Sequence, residues 1–267
     1  MSPDSSPVAL ITGAARGIGA AAAMALAADG WSLVLVDRCA DDPALSYPLA
    51  TPAELDAVVG ACGGPRGQAI GVTADVRDQD ALCAAVAVAV ERFGGLDAAV
   101  AAAGCITGGQ PTWQTSEAAW ATMLGVNLEG VWRLANAAVP ALLDRPRPRH
   151  GRFVAVSSTG GSDGLPLLGA YVAAKHGVNG LVRSLAAELG PEGITANAVA
   201  PGSTRTAMLA ASAAVYDLAD VEEFSRHHLL GRLLGAEEVA ALVAWVCGPA
   251  SGGITGAVLP VDAGMTA

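Results

Sequence analysis

The sequence predicts an α/β fold, a single doubly wound domain whose parallel sheet is covered by helices on both faces. Three observations carry this. Short aliphatic runs alternate with longer Ala- and Leu-rich stretches, the rhythm of βαβ units. The short runs are nearly continuously apolar, as strands covered on both faces must be. A glycine-rich turn joins the first run to the first helical stretch.

In chain order, strands are expected at 8–12, 33–36, 68–74, 97–101, 152–157, 195–199 and 257–259. Helices are expected at 17–28, ending at Gly30; at 81–93, closed by Gly94 and Gly95; at 116–143, opened by Ser116-Glu117; at 169–189; and at 237–247. Two stretches break the rhythm. Residues 39–52, CADDPALSYPLATP, hold three prolines and two adjacent aspartates and form neither one helix nor one strand, so they read as an insert. Residues 205–230 read as a mobile helical flap, because nothing in the sheet requires them. The basic run 145–150 reads as a solvated loop. No repeat or long linker divides the chain, and one domain spans 1–267.

Charge excludes several partner classes. The 267 residues carry 15 Lys+Arg against 25 Asp+Glu, a net charge of −10. A nucleic acid or an anionic membrane needs a basic surface, so neither is expected as a partner. Mean hydropathy is positive, mostly through alanine, and no apolar run approaches the roughly 20 residues of a spanning helix. The start, Met1 to Pro7, is polar and lacks the pattern of a signal peptide. Five scattered cysteines without a CxxC or Cys/His cluster support neither a disulfide framework nor a metal site, and a reducing cytoplasm is expected.

The turn Thr12-Gly13-Ala14-Ala15-Arg16-Gly17-Ile18-Gly19 follows a strand and opens a helix. In that context Gly13, Gly17 and Gly19 let the backbone turn tightly and approach a pyrophosphate, and the helix start around Arg16 and Ile18 offers free N–H groups and a positive dipole end. Asp37 lies just past the second strand, 18 residues after Gly19. A carboxylate there accepts from both adenosine ribose hydroxyls. It also repels a 2′-phosphate, since like charges about 4 Å apart cost on the order of 4 kcal/mol at an effective dielectric of about 20. NAD is therefore favoured over NADP, although Arg16 and Arg38 are cations that could pair with such a phosphate. Asp75, followed by Val76 at the end of the third strand, suits the adenine amino group.

Tyr171 and Lys175 stand four residues apart in a helical stretch and so share one face. An ammonium near a phenol stabilises the phenolate and makes the pair a general base near neutral pH. The chain has fourteen arginines and one lysine, Lys175, whose compact head reaches where a flat guanidinium does not. Ser157 and Ser158 close the fifth strand at the carboxyl edge, where α/β sheets bind ligands. Asn127, amid Val126, Leu128 and Val131, must find hydrogen-bond partners and can hold a water that relays protons to Lys175.

With these residues the chain resembles the short-chain dehydrogenase/reductase family, from Val8 to Thr266. TGAARGIG matches the family's TGxxxGxG, and Tyr171 with Lys175 matches its YxxxK. The family serine lies 13 residues before the tyrosine, which selects Ser158, and Asn127 matches the asparagine that completes the catalytic tetrad. Pro201-Gly202 followed by Thr206, a segment that includes Thr204, matches the PGxxxT that borders the nicotinamide. The resemblance implies a Rossmann-type sheet of seven strands in order 3-2-1-4-5-6-7 and a homotetramer built on the helices 116–143 and 169–189. It also implies NAD-dependent hydride transfer between a nicotinamide and an alcohol or ketone. In that chemistry Tyr171 takes the hydroxyl proton, Ser158 orients the oxygen, Lys175 tunes the tyrosine and binds the ribose, and Asn127 positions the relay water.

One departure stands out. The family's NNAG is here Ala101-Ala102-Ala103-Gly104. Ala102, Ala103 and Gly104 still border the cofactor, but the support of the sheet by two amides must be replaced or absent. The 39–52 insert is similar to that of the mycofactocin-associated branch. This implies a tightly held NAD, a dedicated mycofactocin-type redox carrier as acceptor, and an insert folded over the adenosine half. The substrate pocket is expected from 105–113, 160–168 and the flap, and Thr107, Leu165, Leu167, Met208 and Leu209 point to a hydrophobic alcohol. Rival readings are a catalytically silent NAD sensor or structural protein, and a sugar-nucleotide epimerase, whose relatives carry a larger region after the last strand.

Overall fold

The computed structural model describes residues 6–63 and 68–267. The reading of the start of the chain lies, for residues 1–5, outside the described residues. Seven parallel strands form one sheet in the order β3-β2-β1-β4-β5-β6-β7. They are β1 Val8–Thr12, β2 Ser32–Asp37, β3 Ala69–Thr73, β4 Ala98–Ala101, β5 Arg152–Val156, β6 Thr195–Pro201 and β7 Val258–Val261. The helices are α1 Gly17–Ala28, α2 Pro52–Cys62, α3 Gln79–Phe93, α4 Glu117–Leu124, α5 Gly130–Leu143, α6 Gly169–Leu189, α7 Ala207–Val215 and α8 Ala236–Cys247.

Side chains alternate across a strand, so each buried strand feeds two cores. From β1 and β2, Val8, Leu10, Val34 and Val36 enter a core shared with α3, α5 and α6. Ala9, Ile11, Leu33 and Leu35 enter the opposite core, shared with α1, α2 and α8. Strands β1, β4, β5 and β6 are buried throughout, which is why they read as unbroken apolar runs. The edge strand β3 is only half buried.

Two local features depart from the sequence reading. Residues 39–51 form neither helix nor strand, as expected, but a helix that the sequence reading lacks, α2, begins at Pro52. Thr51 caps α2 in a reciprocal box with Glu54, and Pro52 occupies the first turn, where its missing N–H is harmless. The helix expected over 116–143 is two helices joined by a π-helical segment, Gly125–Glu129, which carries Asn127. The flap is helical as expected, with α7 and a 3₁₀ segment, Val221–His227. Among the described residues no helix is long and apolar enough to cross a membrane.

Gly13 tests the tightness of the first turn. Its φ is +67°, and a Cβ there would stand 2.6 Å from Ala103 Cα. Gly13→Ala therefore meets both backbone strain and a clash with rigid backbone, and is expected to lower stability by about 2 kcal/mol or more, read from the urea midpoint.

Candidate active site

The carboxyl ends of β1 to β6 open on one cleft of about 950 Å³. Gly13, Arg16, Gly17, Ile18, Gly19, Asp37, Arg38, Asp75, Val76, Ala102, Ala103, Gly104, Ser158, Tyr171, Lys175, Pro201, Gly202, Thr204 and Thr206 all line it. Arg16 precedes α1 without capping it through its side chain, so no side chain covers the helix start. Asp37 Oδ2 accepts the Ala15 N–H at 3.0 Å, which fixes the carboxylate against the glycine turn.

The insert closes the corner beside Asp37. Asp42 accepts from Arg38 at 2.6 Å and pairs with Arg77 at 2.9 Å. Arg77 also forks onto Asp75 with bonds of 2.6 to 3.2 Å, and Arg38 reaches Asp75 at 3.4 Å. Burial alone would raise both carboxyls, but the Arg77 fork on Asp75, and the Ala44 N–H with Arg38 on Asp42, hold them below the usual carboxylate range. Arg16 donates to Pro48 O at 2.8 Å. The side chain of Asp75 lines the cleft and pairs there with two guanidinium groups, and Arg16 and Arg38 are both tied to the insert.

The insert extends further than the adenosine corner. Tyr47 Oη accepts the Ile106 N–H at 3.0 Å, and Leu45 and Tyr47 pack on a cluster of Cys105, Ile106, Met123, Leu168, Ala170 and Tyr171. Burial pushes the Tyr47 phenol up to about 12. Neither Leu45 nor Tyr47 stood out in the sequence, because their partners, from Cys105 to Tyr171, lie far away in the chain.

The loop after β4 shows what replaces the two missing asparagines. The Ala103 N–H donates to Thr12 Oγ1 at 3.4 Å. Asn127, fully buried, clasps Cys105 from both sides: its Oδ1 accepts the Cys105 N–H at 3.2 Å, and its Nδ2 donates to Cys105 O at 3.0 Å and to Met123 O at 3.1 Å. Both amide hydrogens are committed, so the side chain has no donor left for the water expected there. A Cβ on Gly104 would stand 3.1 Å from Asn127 Oδ1 and 4.0 Å from Lys175 Nζ. That closeness keeps the cleft floor free of side chains.

Ser158 Oγ accepts the Gly160 N–H at 3.1 Å, and Ser158 Oγ and the Tyr171 ring border the same space at Gly160. Ser157 instead donates to Asn179 Oδ1 at 2.7 Å, while Asn179 Nδ2 binds Gly161 O, a structural pair that leaves Ser158 facing the cleft. Lys175 is 4% exposed, donates to Val156 O at 2.8 Å, and lies 5.7 Å from the Tyr171 ring centre. Burial pulls its ammonium down to about 8. Burial also raises the Tyr171 phenol, and the neighbouring Ser158 hydroxyl opposes that rise. Burial thus works against the depression of Tyr171 expected from Lys175.

Thr206 caps α7 by accepting the Leu209 N–H at 3.3 Å and donates to Thr204 O, and Thr204 Oγ1 donates to Gly202 O. The flap closes the apolar end: Tyr216 donates to Pro166 O at 2.8 Å and meets Phe224 edge-on, with ring centres 6.0 Å apart. Leu165, Leu167, Met208 and Leu209 line the cleft as expected, but Thr107 does not, and Trp113, at 83% exposed, lies outside it.

A family model described as Enoyl-(Acyl carrier protein) reductase matches residues 13–266. A putative short-chain type dehydrogenase/reductase of Mycolicibacterium smegmatis is 44% identical over 200 residues, 74% of this chain and 71% of that protein. The chain belongs to the short-chain dehydrogenase/reductase family. It is also similar to the (-)-trans-carveol dehydrogenase of Rhodococcus erythropolis, 37% identical with 97% of each chain covered. Among solved structures it resembles carveol dehydrogenase from Mycobacterium avium in complex with NAD, with a TM-score of 0.93, 36% identity and 99% of each chain covered.

The buried ammonium yields a prediction with a definite sign. The folded value of Lys175, about 8, lies below the 10.5 of a free lysine. Its contribution to stability therefore grows as pH rises from about 8 to about 10.5, and burying the charge costs about 3 kcal/mol at pH 7. Lys175→Met removes that cost but strands the Val156 carbonyl, a loss of about 1–3 kcal/mol. The expected outcome is a urea midpoint at pH 7 within error of wild type or above it, together with turnover at least about 100-fold lower.

Proposed function

We propose that this enzyme oxidises a hydrophobic secondary alcohol to its ketone, or runs the reverse reduction, with NAD held firmly in the cleft. The observation that carries the reading is the Ser158–Tyr171–Lys175 set opening on an apolar wall at one end of a cleft whose other end is the glycine turn. NAD is bound in the M. avium relative. The residues here fit it: side chains are absent where Gly13 and Gly104 approach their neighbours, no side chain caps the start of α1, and Asp37 stands where the ribose hydroxyls would be met. Bound NAD supplies a carbon that accepts or returns a hydride.

The protein's part is orientation and proton handling. Ser158 Oγ holds the substrate oxygen, and Tyr171 Oη takes the hydroxyl proton. Lys175 supplies the positive charge behind the phenol. Asn127 holds the loop at Cys105 so that Gly104 stays close to the reacting centre. Leu45, Tyr47, Ile106, Met208 and Tyr216 exclude water and select apolar skeletons. Trp120 and Trp132 of α4 and α5, each nearly half exposed, suit packing against further copies in a tetramer.

Two finer readings belong to the same proposal. The bonds from Asp42, Pro48 and Tyr47 make the insert a strap across the cofactor groove, which supports slow NAD exchange. An enzyme that keeps its NAD passes electrons to a separate acceptor of the mycofactocin type.

Protein purified without nucleotide, dialysed and denatured is expected to release NAD in near-stoichiometric amount and no NADP. Turnover of terpenoid-like alcohols with an artificial electron acceptor, abolished in Tyr171→Phe while NAD stays bound, is the expected companion result. An empty supernatant removes the strap reading, and wild type as inert as Tyr171→Phe towards every alcohol removes the enzyme reading. Asp37→Ser lifts the repulsion of a 2′-phosphate and is expected to raise the NADP:NAD ratio of kcat/KM at least about 10-fold.

A further inference from the structure

His228 is buried at 4% exposure and belongs to no part of the chemistry above. It follows the 3₁₀ segment of the flap. Its Nδ1 lies 2.6 Å from Arg232 O, and its Nε2 lies 3.1 Å from the Ser203 nitrogen. A carbonyl only accepts and a backbone N–H only donates, so the proton must sit on Nδ1 and Nε2 must be bare. The surroundings thus specify one neutral tautomer.

Ser203 lies in the Pro201–Thr206 stretch that lines the cleft. Its N–H goes to His228, and its C=O accepts the Leu234 N–H at 3.1 Å. The same stretch is tied to the sheet by the Gly202 N–H on Val261 O, and Thr206 Cγ2 lies 3.4 Å from where a Cβ on Gly17 would stand. The wall opposite the glycine turn is therefore tied to the flap at Ser203 through a buried side chain, beside the exposed Arg205–Glu222 pair and the Thr206 cap of α7.

We propose that His228 is a positioning residue for the cofactor: as a neutral imidazole it locks the flap to the wall of the cleft through Ser203, and on gaining a proton it releases that wall. Protonation places an N–H on Nε2, facing the Ser203 N–H, and two donors cannot share that contact. The charged groups around it are few. From the chain end after β7, Asp262 is partly desolvated, yet bonds from Thr266 and Gly264 hold it below the usual carboxylate range. Arg232 pairs with Glu238 at the start of α8, Arg205 of the wall pairs with Glu222, and Arg226 and His227 precede His228 in the flap. The proposal rests on the reading of this cleft as an NAD site.

The test is the rate of NAD release from holoenzyme, followed by exchange against labelled NAD between about pH 5.5 and 8.5, the range in which imidazoles titrate. Wild type is expected to release NAD faster as pH falls. His228→Leu is expected to release it about 10-fold faster than wild type at pH 8, the loss of one buried hydrogen bond, with no further rise towards acid. His228→Gln places an amide oxygen near Nε2, accepts from Ser203 without titrating, and is expected to match wild type at pH 8 and stay flat towards acid. Urea midpoints show that each variant is folded. Release from His228→Leu at the wild-type rate, or an acid acceleration that survives in His228→Gln, overturns the proposal. Wild type that binds no NAD overturns the cofactor reading along with it, so the two failures are distinguishable.

Discussion

A parallel sheet covered on both faces has nowhere to place polar chemistry except at its strand ends. Val8 and Leu10 face one core while Ala9 and Ile11 face the other, and the same division runs through β2. The glycine turn after β1, Asp37 at the end of β2, Asp75 after β3, the bare Ala102–Gly104 stretch after β4 and Ser158 after β5 all arrive at the same edge for that reason. Lys175 obeys the same constraint from above. Its ammonium descends from α6 to the carbonyl of Val156, the last residue of β5.

Within that edge, burial sets the electrostatics more than pairing does. The Tyr171 phenol is raised and the Lys175 ammonium is lowered, both by loss of water. The two groups are thereby moved apart in acidity, the phenol holding its proton more tightly and the ammonium less tightly than in water. At the adenosine corner the opposite holds. Two carboxylates and two guanidinium groups share one network and keep their charges, because each carboxylate there finds a cationic partner.

Features carried by local spacing were legible in the sequence. The strand rhythm, the TGxxxGxG turn and the Tyr171/Lys175 pair each need only a few adjacent residues to declare themselves. Helix α2 was equally declared, by Thr51-Pro52-Ala53-Glu54, but three prolines in one stretch drew the eye to breakers rather than to a cap. The break in the long helix at Gly125–Glu129 had weaker signs, two glycines around a polar residue. Asn179, Tyr47 and His228 were invisible for a different reason. Each matters through a backbone or side-chain group that only the folded chain brings near it: Ser157, Ile106 and Ser203 respectively.

The span of the insert has a consequence for how such a protein can change over time. Residues 39–51 touch the cofactor corner through Asp42 and the substrate wall through Tyr47, with only four residues between these two anchors. A lengthening or shortening of that link displaces both ends at once. Under the proposed reading of the insert as a strap, selection for a different substrate shape acts on nucleotide retention as well, and the two traits are inherited as one.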